Sequence, residues 1–182
     1  MTNITHTRIR ELLERLARIN AAEEWQEDLN PTQWAALAYL ARANRFSRAP
    51  SQVADYLAAT RGTVSQTLKA LARKQLVNEV RSDTDRRWIS YELTDEGRLR
   101  LNRATLLGRT LECLPDDQVN TLADGLTTLA TSMLHARNLR PFGICNQCRH
   151  FHKTGDGAAC TLLKIDLKPS EIDQICHEQE PA

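Results

Sequence analysis

Nothing in this chain approaches a run of eighteen apolar residues, the length a membrane-spanning helix needs. The opening stretch MTNITHTRIRELLERL carries no apolar signal segment. The expectation is a cytoplasmic protein with no membrane partner. Enzyme signatures are missing too. There is no Ser/His/Asp order, no glycine-rich phosphate loop and no H-E-x-x-H helix. Cysteines number only five, and a single C-x-x-C occurs, at Cys145 and Cys148. A thiol oxidoreductase would set that pair at a strand-to-helix turn of a mixed sheet. This chain reads as almost strandless outside one hairpin, so the expectation is no enzyme.

What is present suits one large domain with a small appendage: 182 residues, 41% hydrophobic and 26% charged. Net charge is +1, but it is uneven. Arg45 to Arg109 holds thirteen Lys and Arg against seven Asp and Glu, and Thr110 onward holds six against ten. A basic middle between acidic flanks suits an anionic partner, although solvated surface charge explains it as well.

Hydrophobic spacing predicts mostly helix. Ile9, Leu12, Leu13, Leu16 and Ile19 form one stripe between His6 and Asn20. Asn30 caps a second helix with Pro31 at its first position, and Trp34, Leu37 and Leu40 point inward. Ala43 to Ala49 reads as a connection, and Pro50 to Ala58 as a short helix. Thr60 caps the next helix, reaching about Lys74, with Val64, Leu68 and Leu71 on one face. The period then switches to two: Ile89, Tyr91 and Leu93 alternate in RWISYEL, and LVNEV supplies a pairing strand. Thr94 caps a helix expected to reach about Cys113. Pro115 opens the last one, where Val119, Leu122, Leu126, Leu129 and Met133 make a heptad-like seam. Regular structure is expected to end at Pro141 and Gly143.

Two helices, a tight turn and a basic hairpin are the order of a winged helix-turn-helix. A helix reads the major groove only through a polar face that reaches base edges. Thr60, Arg61, Thr63, Gln66 and Lys69 make such a face. Gln66 suits adenine, Arg61 or Lys69 suits guanine or phosphate, and the threonines lie at a helix N-terminus that favours phosphate. The hairpin from Arg81 to Arg87 is narrow and basic, suited to a narrow minor groove.

From about Leu29 to Gly97 the chain resembles the MarR (multiple antibiotic resistance regulator) family of transcription factors. The residues that carry the resemblance are LNPTQWAALAYLA, SQVADYLAATRGTVSQTLKALARKQLV and DTDRRWISYELTDEG. The resemblance implies a mainly α fold with a small β wing. It implies a homodimer interlocked by long N- and C-terminal helices, on double-stranded DNA with a pseudo-palindromic operator. It places Arg86 and Arg87 at the wing, with Asp85 as their orienting partner, and Thr60, Arg61, Thr63 and Gln66 on the recognition helix. A small aromatic ligand between dimer helices and DNA-binding lobe is a second mode of control the resemblance allows.

The family pattern stops before the tail. The expected division is 1–140 for the DNA-binding and dimerisation domain and 141–182 for a short cysteine-rich tail. Four cysteines fall in the last thirty-eight residues: Cys145, Cys148, Cys160 and Cys176. Structural disulfides are disfavoured in a reducing compartment, which leaves metal ligation. Zinc takes four thiolates, commonly as two C-x-x-C knuckles. An iron–sulfur cluster accepts singly placed cysteines, so a 4Fe-4S cluster is favoured over zinc. His150, His152 and His177 keep a mixed site open, each otherwise a solvent-facing loop residue. Cys113, beside Leu111 and Leu114, is expected to pack in the core. Because the tail follows the last dimer helix, the expectation is that a cluster there biases that helix and the spacing of the two lobes.

Overall fold

The protein was analysed as a computed structural model, which describes residues 3–24, 28–81, 88–102, 105–139, 142–155 and 157–182. Helix α1 spans Ile4–Glu24, α2 Pro31–Arg42, α3 Pro50–Tyr56 and α4 Arg61–Arg73. Strands β1 (Val77–Arg81) and β2 (Ile89–Leu93) pair antiparallel, Val77 opposite Leu93 and Arg81 opposite Ile89. Helices α5 (Asp95–Leu101), α6 (Leu106–Glu112) and α7 (Asp116–Ala136) follow.

Local chemistry accounts for the boundaries. Asn30 caps α2 in a reciprocal box with Gln33, and Pro31 takes the first turn, where no N–H is needed. Thr60 caps α4 and Thr94 caps α5, each accepting from the N–H three residues on. Gln75 turns the chain from α4 into β1 with a positive φ of 59°. The glycine of the LTDEG segment has a steric reason: a Cβ on Gly97 would lie 2.1 Å from the Leu76 carbonyl oxygen. That carbonyl also accepts the Thr94 N–H at 3.1 Å. The close approach seats α5 on the end of β1.

One core holds this lobe. Leu37, Leu40, Val53, Val64, Leu68 and Leu71 are fully buried, with Leu76, Val77 and Tyr91 from the strands beside them. The inward positions of β2 fit the expected alternation, Tyr91 and Leu93 being buried and Ile89 partly so. Two expectations need correction. The helix expected from Thr94 to Cys113 is two helices. Asn102 closes α5, while the Thr105 hydroxyl accepts from Gly108 N at 3.0 Å and opens α6. Glu23 of α1 accepts the Leu106 N–H there, at 2.7 and 2.9 Å. Asn and Thr compete with helix through such side-chain bonds. Cys113, expected in the core, is exposed at the end of α6, because α6 buries none of its residues.

The tail also departs from the expected irregular loop. It contains β3 (Gly143–Ile144), β4 (Phe151–Thr154), β5 (Gly157–Cys160), β6 (Ile165–Leu167) and β7 (Ile175–Cys176). Strand β3 pairs with β7, and β4, β5 and β6 form an antiparallel sheet. Its strands are two to four residues long, with burial at Ala158 of β5, Leu167 of β6 and both residues of β7. That leaves almost no period-two pattern to read. Ile175 of β7 belongs to the same core as α2 and α4.

Candidate DNA interface and cysteine site

Helix α4 has two chemically distinct sides. Val64, Thr67, Leu68 and Leu71 are buried. Thr60, Arg61, Thr63, Gln66 and Lys69 are all exposed. The buried side fixes the helix on α2 and α3, so the exposed side is presented rigidly. Thr60 is engaged as the cap, its hydroxyl accepting from Thr63 N at 3.1 Å and lying 2.8 Å from the Thr63 hydroxyl. Arg61, Gln66 and Lys69 are the longer reaching side chains.

The wing carries Arg81 at the end of β1, bonded to the Glu79 carboxylate through Nε at 3.1 Å. Glu79 also accepts the Tyr91 hydroxyl at 3.0 Å. The Arg81 hydrogen bond, then that from Tyr91, holds the Glu79 carboxyl below its usual range. Alternating strand positions put Glu79 and Arg81 on one face, a pairing that spacing alone could have suggested. Asp85, Arg86 and Arg87 lie outside the described residues.

Cys145, Cys148, Cys160 and Cys176 all line one small cavity, with His150, Phe151 and Leu162 around it. Cys145 begins a short 3-10 turn, and Cys148 N donates to Cys145 O at 3.1 Å, which folds the C-x-x-C into a knuckle. Register puts Cys160 opposite both Phe151 and Ile165, and Cys176 opposite Gly143. Residues far apart in sequence thus reach one place. Cys145 and Cys176 are buried, while Cys148 and Cys160 are partly exposed. Among the described residues no three His, Cys, Asp or Glu side chains close around a point suited to a single metal ion.

Several donors surround these sulfurs. Asn44 Nδ2 lies 3.4 Å from Cys145 Sγ, and the Glu180 N–H is 3.5 Å from Cys148 Sγ. The Cys145 thiol hydrogen-bonds the Cys176 sulfur, holding Cys176 below the usual thiol range and pushing Cys145 above it. Asn44, the Glu178 backbone and the Ser47 hydroxyl further favour a Cys176 thiolate. Sequence reasoning missed Asn44 and Ser47, which lie about a hundred residues away in an unremarkable connection. His177, expected to face solvent, is only 14% exposed and packs edge-on against Phe142. His150 lines the cavity, and His152 is exposed on β4.

With this geometry in view, the profile of the MarR family matches residues 27–87. Over those residues this winged-helix unit is similar to the MarR family. Proteins of that family are DNA-binding transcription regulators, not enzymes. The crystal structure of Streptococcus pneumoniae FabT in complex with DNA is 26% identical, with a TM-score of 0.55 over 72% of this chain and 99% of that one. The S. aureus MepR–DNA complex gives 20% identity and a TM-score of 0.56, over 72% and 99% of the two chains. The transcriptional regulator SlyA gives 16% and 0.55, over 74% and 96%. At that identity the last two speak for the fold alone. These relatives are matched nearly end to end, and the rest of this chain has no counterpart in them. No curated protein sequence matches the chain significantly. Among the described residues, no helix of the MarR-type unit or the tail is long and apolar enough to cross a membrane.

Proposed function

We propose that this protein is a cytoplasmic DNA-binding transcription regulator of the MarR type, working as a homodimer on a pseudo-palindromic operator. Residues 1–140 are its DNA-binding and dimerisation part, and residues 141–182 are a metal-binding tail. The observation that carries the reading is the division of α4 into a buried apolar side and an exposed side of Arg61, Thr63, Gln66 and Lys69. Arg61 and Gln66 serve as base readers and Lys69 as a phosphate contact. Thr60 holds the helix N-terminus toward the backbone, and Arg81 flanks the wing. Asp85, Arg86 and Arg87 complete it on the strength of the family resemblance. FabT, 26% identical, was solved with DNA, which supports the same partner here. The exposed stripes on α1 and α7 supply the second subunit's seat.

The finer part of the proposal is control by a 4Fe-4S cluster on Cys145, Cys148, Cys160 and Cys176. Four thiols on one cavity support it, as do the N–H and O–H donors aimed at sulfur, which tune such centres. A cluster is wider than one ion and takes ligands placed singly along the chain. Only one C-x-x-C is present, and Cys160 and Cys176 stand singly along the chain, which favours the cluster over a two-knuckle zinc site.

The test is an ultraviolet–visible spectrum with iron and zinc analysis on protein purified without air, followed by nuclease footprinting. Broad visible absorption with several irons per chain supports the cluster. A colourless protein with one zinc per chain makes the tail a structural clasp and moves the search for a signal to an aromatic ligand. A protein that leaves no footprint and shows no salt-dependent DNA affinity is not a regulator of this kind.

A further inference from the structure

The tail does not hang from the end of α7. It lies on the connection between α2 and α3, residues 43–49. Ala43 bridges Ile175 in parallel, and Asn44 N donates to Ile175 O at 2.9 Å. The Asn44 side chain reaches the Cys145 sulfur at 3.4 Å. The Ser47 hydroxyl accepts His177 N at 2.8 Å. Arg45 grips both oxygens of the buried Glu171 carboxylate, at 2.7 and 2.8 Å. Asn44 and Ser47 are each 1% exposed. These polar contacts are satisfied and buried or partly buried, and such contacts fix one arrangement of the segments that make them.

The other side of the same connection holds the DNA-facing elements. Gln52 of α3 donates to Phe46 O and accepts Ala49 N, both at 2.8 Å. Tyr91 of the wing strand β2 donates its N–H to Arg48 O at 3.1 Å. The Tyr39 hydroxyl of α2 donates to Ser47 O at 2.6 Å. This seven-residue connection therefore meets the cysteine site through Asn44 and Ser47 on one side and α2, α3 and the wing on the other.

We propose that the cysteine site acts on DNA binding inside its own subunit, through the connection 43–49, with Asn44 and Ser47 as the positioning residues that read the sulfurs. This rests on reading the four cysteines as a metal centre. A centre fixes the four sulfurs relative to one another and so fixes β7, which carries Cys176, and β3, which leads directly into Cys145. Without it those two short strands lose their clamp. Ile175 then loosens in the lobe core, and the connection loses the partners of Asn44 and Ser47. Helix α3 and strand β2 are held by that connection, so the recognition face of α4 and the wing lose their mutual register. The order in which lobes separate across the dimer is not the first event in this scheme.

The experiment is hydrogen exchange read by mass spectrometry on the full chain, purified without air, before and after stripping with ferricyanide and EDTA. Exchange in segment 43–56 is expected to rise at least ten-fold, while segment 116–136 in α7 stays unchanged. In Asn44→Ala, with metal content retained, segment 43–56 exchanges fast before stripping, and stripping adds less than two-fold. A rise confined to 116–136, or to the tail with 43–56 unchanged, overturns the proposal. If metal analysis finds nothing bound, the metal reading fails separately. Cys176→Ala then tests the relay without metal: faster exchange in 43–56 with α7 still protected supports it, and unchanged exchange in 43–56 overturns it.

Discussion

The lobe around α4 and the two long helices draw on the same apolar alphabet and dispose of it in opposite ways. Leu37, Leu40, Leu68 and Leu71 are fully buried. Leu12 and Leu16 of α1 are 48% and 56% exposed, and Leu122 and Leu126 of α7 are 46% and 42% exposed. Helix α7 buries none of its residues. The lobe closes its core within one chain, while a stripe of that length left in water marks an interaction surface. The difference separates the part of the chain that closes its own core from the part that leaves an apolar stripe exposed. The tail falls with the part that closes its own core, since Ile175 joins the lobe core.

The largest test of that division is Leu126→Asp, a charge in the middle of the α7 seam. Sedimentation should show monomers, and operator footprints should disappear, while the lobe keeps its protected core. A variant that stays dimeric would move the interface elsewhere. Next comes Leu68→Ala, which empties a fully buried site in the lobe. Denaturant unfolding should show a loss of about 2–5 kcal/mol. The matching Leu122→Ala, measured at a concentration where the chain is monomeric, should cost far less.

Gln66→Ala leaves both regions folded and removes one reaching side chain. Binding to a footprinted site should weaken by about 1–3 kcal/mol, with specificity relaxed at one base position. Unfolding midpoints should not move. The smallest effect is a titration on the lobe surface. Asp28 pairs with Arg100 at 2.9 Å and Lys74 at 3.4 Å, and the Arg100 hydrogen bond holds its carboxyl below the ordinary value. A lowered folded value means the pair stabilises above the unfolded carboxylate value and fades as pH falls through the lowered one. The Asp28 side chain is 57% exposed, so the loss should be under about 1 kcal/mol. Arg100→Met should flatten that part of the pH–stability curve, and an unaltered curve would remove Asp28 from the account.

Much of this was legible before any coordinates. Caps at Asn30, Thr60 and Thr94, Pro31 in a first turn and the alternation in RWISYEL are local signals, and local hydrogen bonding and burial made them true. The exposed face of α4 was legible because helical period separates Leu68 and Leu71 from Gln66 and Lys69. The break at Asn102 and Thr105 was not, because apolar residues continue across it and only the caps, with Glu23 arriving from α1, decide for two helices. Cys113 misled for a related reason: Leu111 and Leu114 beside it suggest a core, yet α6 buries none of its residues.

Sequence alone determined the residue types of both candidate sites. A reading face needs Arg, Gln and Lys at helical spacing, and a metal centre needs its cysteines. Spacing along the chain could carry those requirements because they are local or compositional. Only tertiary structure decided what the tail rests on. Asn44 and Cys145 are 101 residues apart, and Arg45 and Glu171 are 126 apart. No periodicity links such positions. The contacts arise because β7 finds the edge of the α2–α3 connection, where Ile175 completes the lobe core and the buried polar groups of Asn44 and Ser47 must find partners.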